Sequence, residues 1–240
     1  MQGLSSHAAV ITGATGNLGA AVVRAYLTRG THVAAAVRDA AKGEALKSAL
    51  ADIAGSSDDP RLLVIEADPA DAASMEALVE RVLRAWGRID ILNNLAGLFK
   101  SGSALDARLM RELWDSNVLT AVTSAAACLR PMRARGYGRI VSVSAIGALK
   151  GARNNAAYAM SKGALVRWTE SLAAEVKGEG ITVNAVMPTT IDHPVNRAQM
   201  PKADPTLWPS PEEVANVILF LSSREASGVN GAAIPITART

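Results

Sequence analysis

Tyr158 and Lys162 stand four residues apart, a spacing that puts both side chains on one face of a helix. A nearby ammonium favours the tyrosinate and lowers the phenol from its reference pKa of about 10. A tyrosine tuned in that way can donate a proton to a substrate. Tyr-x-x-x-Lys is a common pattern in itself. Here it follows a strand that ends at a candidate cofactor crevice and opens a long apolar helix, and that context gives the pair its weight.

The crevice is read from residues 12–19, where Gly13, Ala14, Thr15, Gly16, Asn17, Leu18 and Gly19 follow Thr12 between a strand and a helix. Glycines at this spacing permit a tight turn and let backbone amides approach a pyrophosphate at the helix N-terminus, where the dipole favours negative charge. The strand–turn–helix setting makes this a dinucleotide site rather than an ordinary glycine turn. Lys162 would then also hold the nicotinamide ribose. Arg38 follows the second strand, where an acidic residue would bind the two ribose hydroxyls of NAD; an arginine there suits the 2′-phosphate of NADP. NADP is therefore favoured, with Asp39 close enough to leave NAD open. Asp68, just past the third strand, is placed either to touch the adenine or to cap a helix.

The elements that must position these groups are legible as short apolar runs at 8–12, 32–37, 62–67, 89–93, 139–143, 182–186 and 233–236. They are continuous rather than alternating, as in a parallel sheet covered on both faces. Between the first two, Leu18, Ala21, Val22, Ala25 and Tyr26 recur at helical spacing and Gly30 ends the element. Further helices are expected over 72–86, 106–134, 156–177 and 211–222, the last with Ser210, Pro211 and Glu213 as a capping box. The βαβ order predicts one α/β domain over 1–240, a Rossmann fold with a doubly wound, seven-stranded parallel sheet. The segment 187–209 holds five prolines and little periodicity. At about twenty residues it reads as a substrate loop, or else as an ordered surface excursion.

Composition narrows the function classes. The net charge of +3 comes from 25 basic and 22 acidic residues, too small and mixed a balance for nucleic acid. Aromatics at 4% give no platform for stacking bases. The single Cys128 lies in an apolar stretch and reads as a small buried side chain, which excludes an internal disulfide framework. No basic leader and no run of about 18 uncharged apolar residues is present. A cytoplasmic protein that neither enters nor crosses a membrane is expected. No metal enters this reading.

With these motifs in place, the chain resembles the short-chain dehydrogenase/reductase family over nearly its whole length. The resemblance makes residues 12–19 the cofactor turn and Asn94, Leu95, Ala96 and Gly97 the family's Asn-Asn-Ala-Gly segment. It gives Asn117 the support of a proton-relay water, makes Tyr158 and Lys162 the active site, and puts Pro188 in the loop bordering nicotinamide. It also implies a homodimer or homotetramer through the two long helices. Departures are the middle glycine at 16, Leu95 for the second asparagine, and Met187-Pro188-Thr189 for a Pro-Gly. The gravest is Ala145, at the position of the family's catalytic serine. Ser144 adjoins it but points elsewhere if the strand continues, unless a register shift or bulge brings it in. Losing one transition-state hydrogen bond to a carbonyl costs roughly 2–4 kcal/mol.

Residues 187–208 are similar to the matching segment of quinonoid dihydropteridine reductases, which keep the tyrosine and lysine and lack the serine. Asn196, Arg197 and Trp208 become substrate-loop candidates, or else loop-pinning polar groups and a buried indole. The expected function is an NADP(H)-preferring oxidoreductase acting on a small carbonyl, quinonoid or imine compound. The alternatives are a dihydropteridine reductase-like enzyme and a cofactor-binding regulatory or structural protein whose chemistry has been lost.

Overall fold

In the computed structural model, residues 4–55 and 60–239 are described. Seven strands form one parallel sheet: β1 Ala8–Thr12, β2 His32–Val37, β3 Leu62–Glu66, β4 Ile91–Asn94, β5 Gly138–Val143, β6 Ile181–Pro188 and β7 Ala233–Ile236. Their order is β3-β2-β1-β4-β5-β6-β7. The strand order reverses between β1 and β4, so the carboxyl ends of those two strands form the topological switch point at which such sheets bind ligands. This is the single-domain, doubly wound Rossmann fold predicted.

Both faces of the sheet are apolar, which explains the unbroken runs. Ala9 and Ile11 point to one side, where they pack with Val22, Tyr26, Val214 and Ile218. Val10 points to the other, with Leu78, Val82, Cys128 and Met132. The helices among the described residues are α1 Asn17–Leu27, α2 Ala40–Ala49, α3 Ala72–Trp86, α4 Ala107–Trp114, α5 Thr120–Arg135, α6 Ala156–Glu175, α7 Pro194–Gln199 and α8 Pro211–Leu221. Helices α1, α2 and α8 cover the first face; α3, α5 and α6 cover the second. Burial pushes the Cys128 thiol up to about 12, so it is packing material rather than a nucleophile.

Three departures from the expected elements matter. Helix α2 had no clear periodicity because only Gly43 and Leu46 of its ten residues are buried. The expected helix over 106–134 is interrupted: α4 passes into a π-helical turn, Asp115–Leu119, before α5 begins. The proline-rich segment is not wholly irregular, since α7 and a 3₁₀ turn at Pro205–Leu207 lie within it. The capping box of α8 forms as expected, with Ser210 Oγ accepting from the Glu213 amide at 3.1 Å and Glu213 Oε2 from the Ser210 amide at 2.8 Å. No helix among the described residues is long and apolar enough to cross a membrane.

Candidate functional site

The turn after β1 is glycine-dependent for steric reasons. Gly13 has φ +66°, and a Cβ there would sit 2.7 Å from the Ala96 nitrogen. A Cβ on Gly19 would lie 2.2 Å from the Gly13 carbonyl oxygen. Thr12 Oγ1 accepts from the Ala96 amide at 3.3 Å, tying the turn to the segment after β4. Helix α1 is preceded by Gly16, which offers no side-chain cap, so among the described residues its first amides are free for an anionic group. Gly16 and Asn17 are exposed and Thr15 is half-buried, whereas the Leu18 side chain belongs to the core. A pyrophosphate fits this cradle through backbone amides.

Around the turn, Arg38 is exposed and has no ion-pair partner among the described residues. The neighbouring Asp39 is committed to capping α2, where it accepts from the Lys42 amide at 3.1 Å. Asp68 is exposed beyond β3 and accepts from the Ala70 amide at 3.0 Å, forming a local turn. It does not cap α3; Asp71 does, through the Ser74 amide at 2.6 Å.

Beside the turn, α6 brings up Tyr158 and Lys162. Lys162 is only 6% exposed, and its Nζ donates to the Val143 carbonyl at 2.8 Å. Nζ lies 5.9 Å from the centroid of the Tyr158 ring. The expected mutual tuning is not what the ligand-free protein displays. Burial pushes the Tyr158 phenol up to about 12 and pulls Lys162 down to about 8. Both shifts disfavour charge, because desolvation at this depth outweighs an ammonium held on a carbonyl rather than on the phenol.

Asn117 reaches this cluster because the π turn presents it there. Its Oδ1 accepts from the Leu98 amide at 2.7 Å, and its Nδ2 donates to the Leu98 carbonyl at 3.0 Å and to Ser161 Oγ at 2.9 Å. Ser161 Oγ in turn donates to the Tyr158 carbonyl at 2.9 Å. Asn117 thus clamps the segment after β4 to α6. Gly97 leaves room for the clamp: a Cβ there would sit 2.7 Å from Asn117 Oδ1 and 3.2 Å from Lys162 Nζ. Asn94 is buried, donating to Ser142 Oγ at 3.2 Å, and its Oδ1 has no partner. Pro188 ends β6 opposite Ile236, and the adjoining Thr189 Oγ1 is likewise buried and unpartnered.

Ser144 does not replace the missing serine. Its hydroxyl donates to the Lys162 carbonyl at 2.8 Å, and its amide continues the ladder to Val186. Ala145 follows with extended backbone, φ −159°, so the strand neither bulges nor slips. We expect Ser144→Ala to leave kcat and KM within about twofold and to lower stability by about 1 kcal/mol, the worth of one buried hydrogen bond. Thermal melting and steady-state kinetics check this, and a tenfold loss of kcat would instead place that hydroxyl on the substrate.

The loop candidates are mostly spent on the loop itself. Asn196 Nδ2 donates to the Ile191 carbonyl at 2.7 Å. Arg197 pairs with Asp192 through two contacts of 2.6 Å, which holds that carboxyl below its usual range. Trp208 is buried. Two groups that sequence reasoning missed stand closer to Tyr158. Ser161 lies one helical turn away and is visible only as a serine inside the Tyr–Lys motif. Phe99, 60% exposed, meets the Tyr158 ring edge-on at 4.9 Å.

The family described as short chain dehydrogenase matches residues 7–204. The D-threitol dehydrogenase of Mycolicibacterium smegmatis is 33% identical, over 97% of this chain and 92% of its own. A 3-oxoacyl-acyl-carrier-protein reductase of Thermotoga maritima is 34% identical, over 97% of each chain. The structure of levodione reductase superposes with a TM-score of 0.88 at 27% identity, covering 98% of this chain and 97% of the other. On this agreement of sequence and fold along its whole length, the chain belongs to the short-chain dehydrogenase family and is an NAD(P)-dependent oxidoreductase.

Proposed function

We propose that this enzyme prefers NADP(H) and interconverts a small carbonyl compound and its alcohol, with Tyr158 as acid and base. The observation that carries the reading is the meeting of Tyr158, Lys162 and the Asn117 clamp beside an uncapped, glycine-lined helix start. When bound, the nicotinamide supplies or accepts the hydride. The chain's own residues do the rest. A phenol near 12 keeps its proton at neutral pH and can deliver it from Oη to the substrate oxygen as charge develops there. Lys162 presents an ammonium to the ribose, and Asn117 is a positioning residue that fixes the helix turn carrying Tyr158. Relatives named for the dehydrogenation of threitol and the reduction of a 3-oxoacyl group support the substrate class.

The NADP preference rests on the division of labour between Arg38 and Asp39. Only the guanidinium is free to meet a ribose substituent, because the carboxylate is held by α2. Calorimetry should find NADPH binding more tightly than NADH. Arg38→Ser should weaken NADPH by about ten- to a hundredfold, the fold-change for losing a charge-assisted contact, and leave NADH nearly unchanged. Tighter NADH binding in the native protein would overturn the preference, and no saturable binding of either would overturn the proposed site.

One observation favours a second reading. With Ala145 in place and Ser144 turned onto α6, a substrate that needs no serine-held carbonyl, such as a conjugated quinonoid or imine, escapes the penalty a ketone would meet. Segment 187–209 would be its substrate loop, with Phe99 as an apolar wall. A quinonoid dihydropterin should then be reduced much faster than simple ketones; equal rates would remove this reading. We also propose a homodimer or homotetramer, on the exposed Trp114, Leu119 and Met160 along α4, the π turn and α6. Light scattering that returns a monomer would refute it.

A further inference from the structure

At the end of the sheet opposite Tyr158, where β5 and β6 begin, lies a cavity of about 460 Å³. The eight residues of β6 put roughly 25 Å between it and the nicotinamide end of the site. Arg139, Arg224 and Lys177 line it, with Tyr137, Thr182 and Ser227, and no aspartate or glutamate is among its walls.

Arg139 is the unusual member. It is 4% exposed, and among the described residues its side chain bonds only to main-chain carbonyls. Its Nε donates to Ser223 at 3.1 Å, and its Nη1 donates to Gly138 at 2.8 Å and Gly180 at 3.1 Å. Those bonds use the Nε hydrogen and both Nη1 hydrogens, so the two on Nη2 have no acceptor among the described residues. Burial holds this guanidinium below its ordinary range, and the like charge of Arg224 acts in the same direction. Both guanidiniums lie against the Tyr137 ring, at 4.4 and 5.2 Å from its centroid. The Thr182 side chain, 6% exposed, has a hydroxyl with no partner, and so has Tyr137. Glu179, in the adjoining depression, is taken by Arg133 at 2.7 Å, and the buried Asp90, whose charge is felt at Tyr137, is taken by Arg88 at 2.6 Å.

A buried cation without a counter-charge is costly, and three cations without a carboxylate form an electrostatic vacancy for an anion. We propose that this cavity is a second ligand site, separate from the cofactor crevice, which takes a phosphate group either free or carried on a small ester. The fork of Arg139 would present its two Nη2 hydrogens, Arg224 and Lys177 would close over the anion from the rim, and Thr182 would supply a hydroxyl donor. Such a ligand would fix the start of the two strands whose far ends carry Val143, Ala145 and Pro188.

The test is calorimetric titration of the cofactor-saturated protein, in which the glycine turn is occupied, with inorganic phosphate and separately with glycerol 3-phosphate. One saturable site per chain is expected. Arg139 also holds Gly138, Gly180 and Ser223, so its removal would mix binding with folding. The exposed pair gives the readout: a Lys177→Gln/Arg224→Gln double variant should bind about ten- to a hundredfold more weakly at an unchanged melting temperature, as for lost charge-assisted hydrogen bonds. Tighter binding of the ester identifies an organic phosphate as the ligand, and equal binding identifies inorganic phosphate. No saturable binding of either at millimolar concentration, or equal affinity in the double variant, overturns the proposal.

Discussion

Tyr158→Phe should lower kcat by about 10²–10⁴, the span of general acid–base catalysis, while NADPH affinity and melting temperature stay near those of the native enzyme. The reason is geometric. Phenylalanine keeps the ring, and with it the edge contact to Phe99 at 4.9 Å, and the backbone carbonyl that receives Ser161 is untouched. Only the hydroxyl is lost, and no hydrogen bond among the described residues depends on it. Single-turnover kinetics and cofactor titration on the same preparation separate the two effects. A variant keeping more than a tenth of native kcat would remove Tyr158 from the chemistry. A native protein that binds cofactor but turns over neither carbonyls nor quinonoid compounds would favour the reading in which chemistry has been lost.

Much of this arrangement is visible before any coordinates. The strands read cleanly because both faces of each are buried: Val33, Ala35 and Val37 go one way and Ala34 and Ala36 the other, all apolar. Helix α3 reads cleanly because its cap, its buried stripe and its terminal Gly87 agree. Helix α2 escaped notice because a helix lying over Val37 and Val64 needs a glycine at 43 rather than an apolar stripe. The π turn escaped because inserting one extra residue into a helix leaves the residue types unchanged while turning Asn117 toward Leu98 and Ser161. The spacing of Tyr158 and Lys162 was legible, but the sign of their pKa shifts was not. Spacing says that two groups share a face; only packing says how deep that face lies. Asn196 and Arg197 bond within their own segment for a related reason, since a polar side chain in a long loop has the loop's own carbonyls and carboxylates within reach.

The depth of Lys162 leads to an opposite movement of stability and activity in Lys162→Met. Burial pulls the ammonium from its ordinary 10.5 to about 8, and among the described residues one carbonyl, that of Val143, is its only hydrogen-bond partner. A base whose folded pKa lies below its unfolded one contributes stability that is present above pH 10.5 and lost as pH falls through 8. At neutral pH the native, ligand-free protein therefore carries most of a penalty of order 3 kcal/mol, and methionine, of similar length and uncharged, relieves it less the lost bond to Val143. Lys162→Met should melt several degrees higher than the native protein at pH 7, with the gap closing between pH 8 and 10.5. Tyr158 titrates with the opposite sign, its stabilisation being lost between about 10 and 12, but it is common to both proteins and cancels in the difference. On the proposed function, turnover should fall by about 10²–10³ in the same variant, because the ammonium proposed to hold the nicotinamide ribose is gone. Adding NADPH should raise the melting temperature of the native protein more than that of the variant, since on the proposed function the cofactor's ribose would supply partners to the buried ammonium. A variant that is less stable at pH 7, with a gap independent of pH from 8 to 10.5, would show that Lys162 is held by the fold rather than held against it. The expected result instead makes the lysine a group the fold keeps at a cost until the dinucleotide arrives.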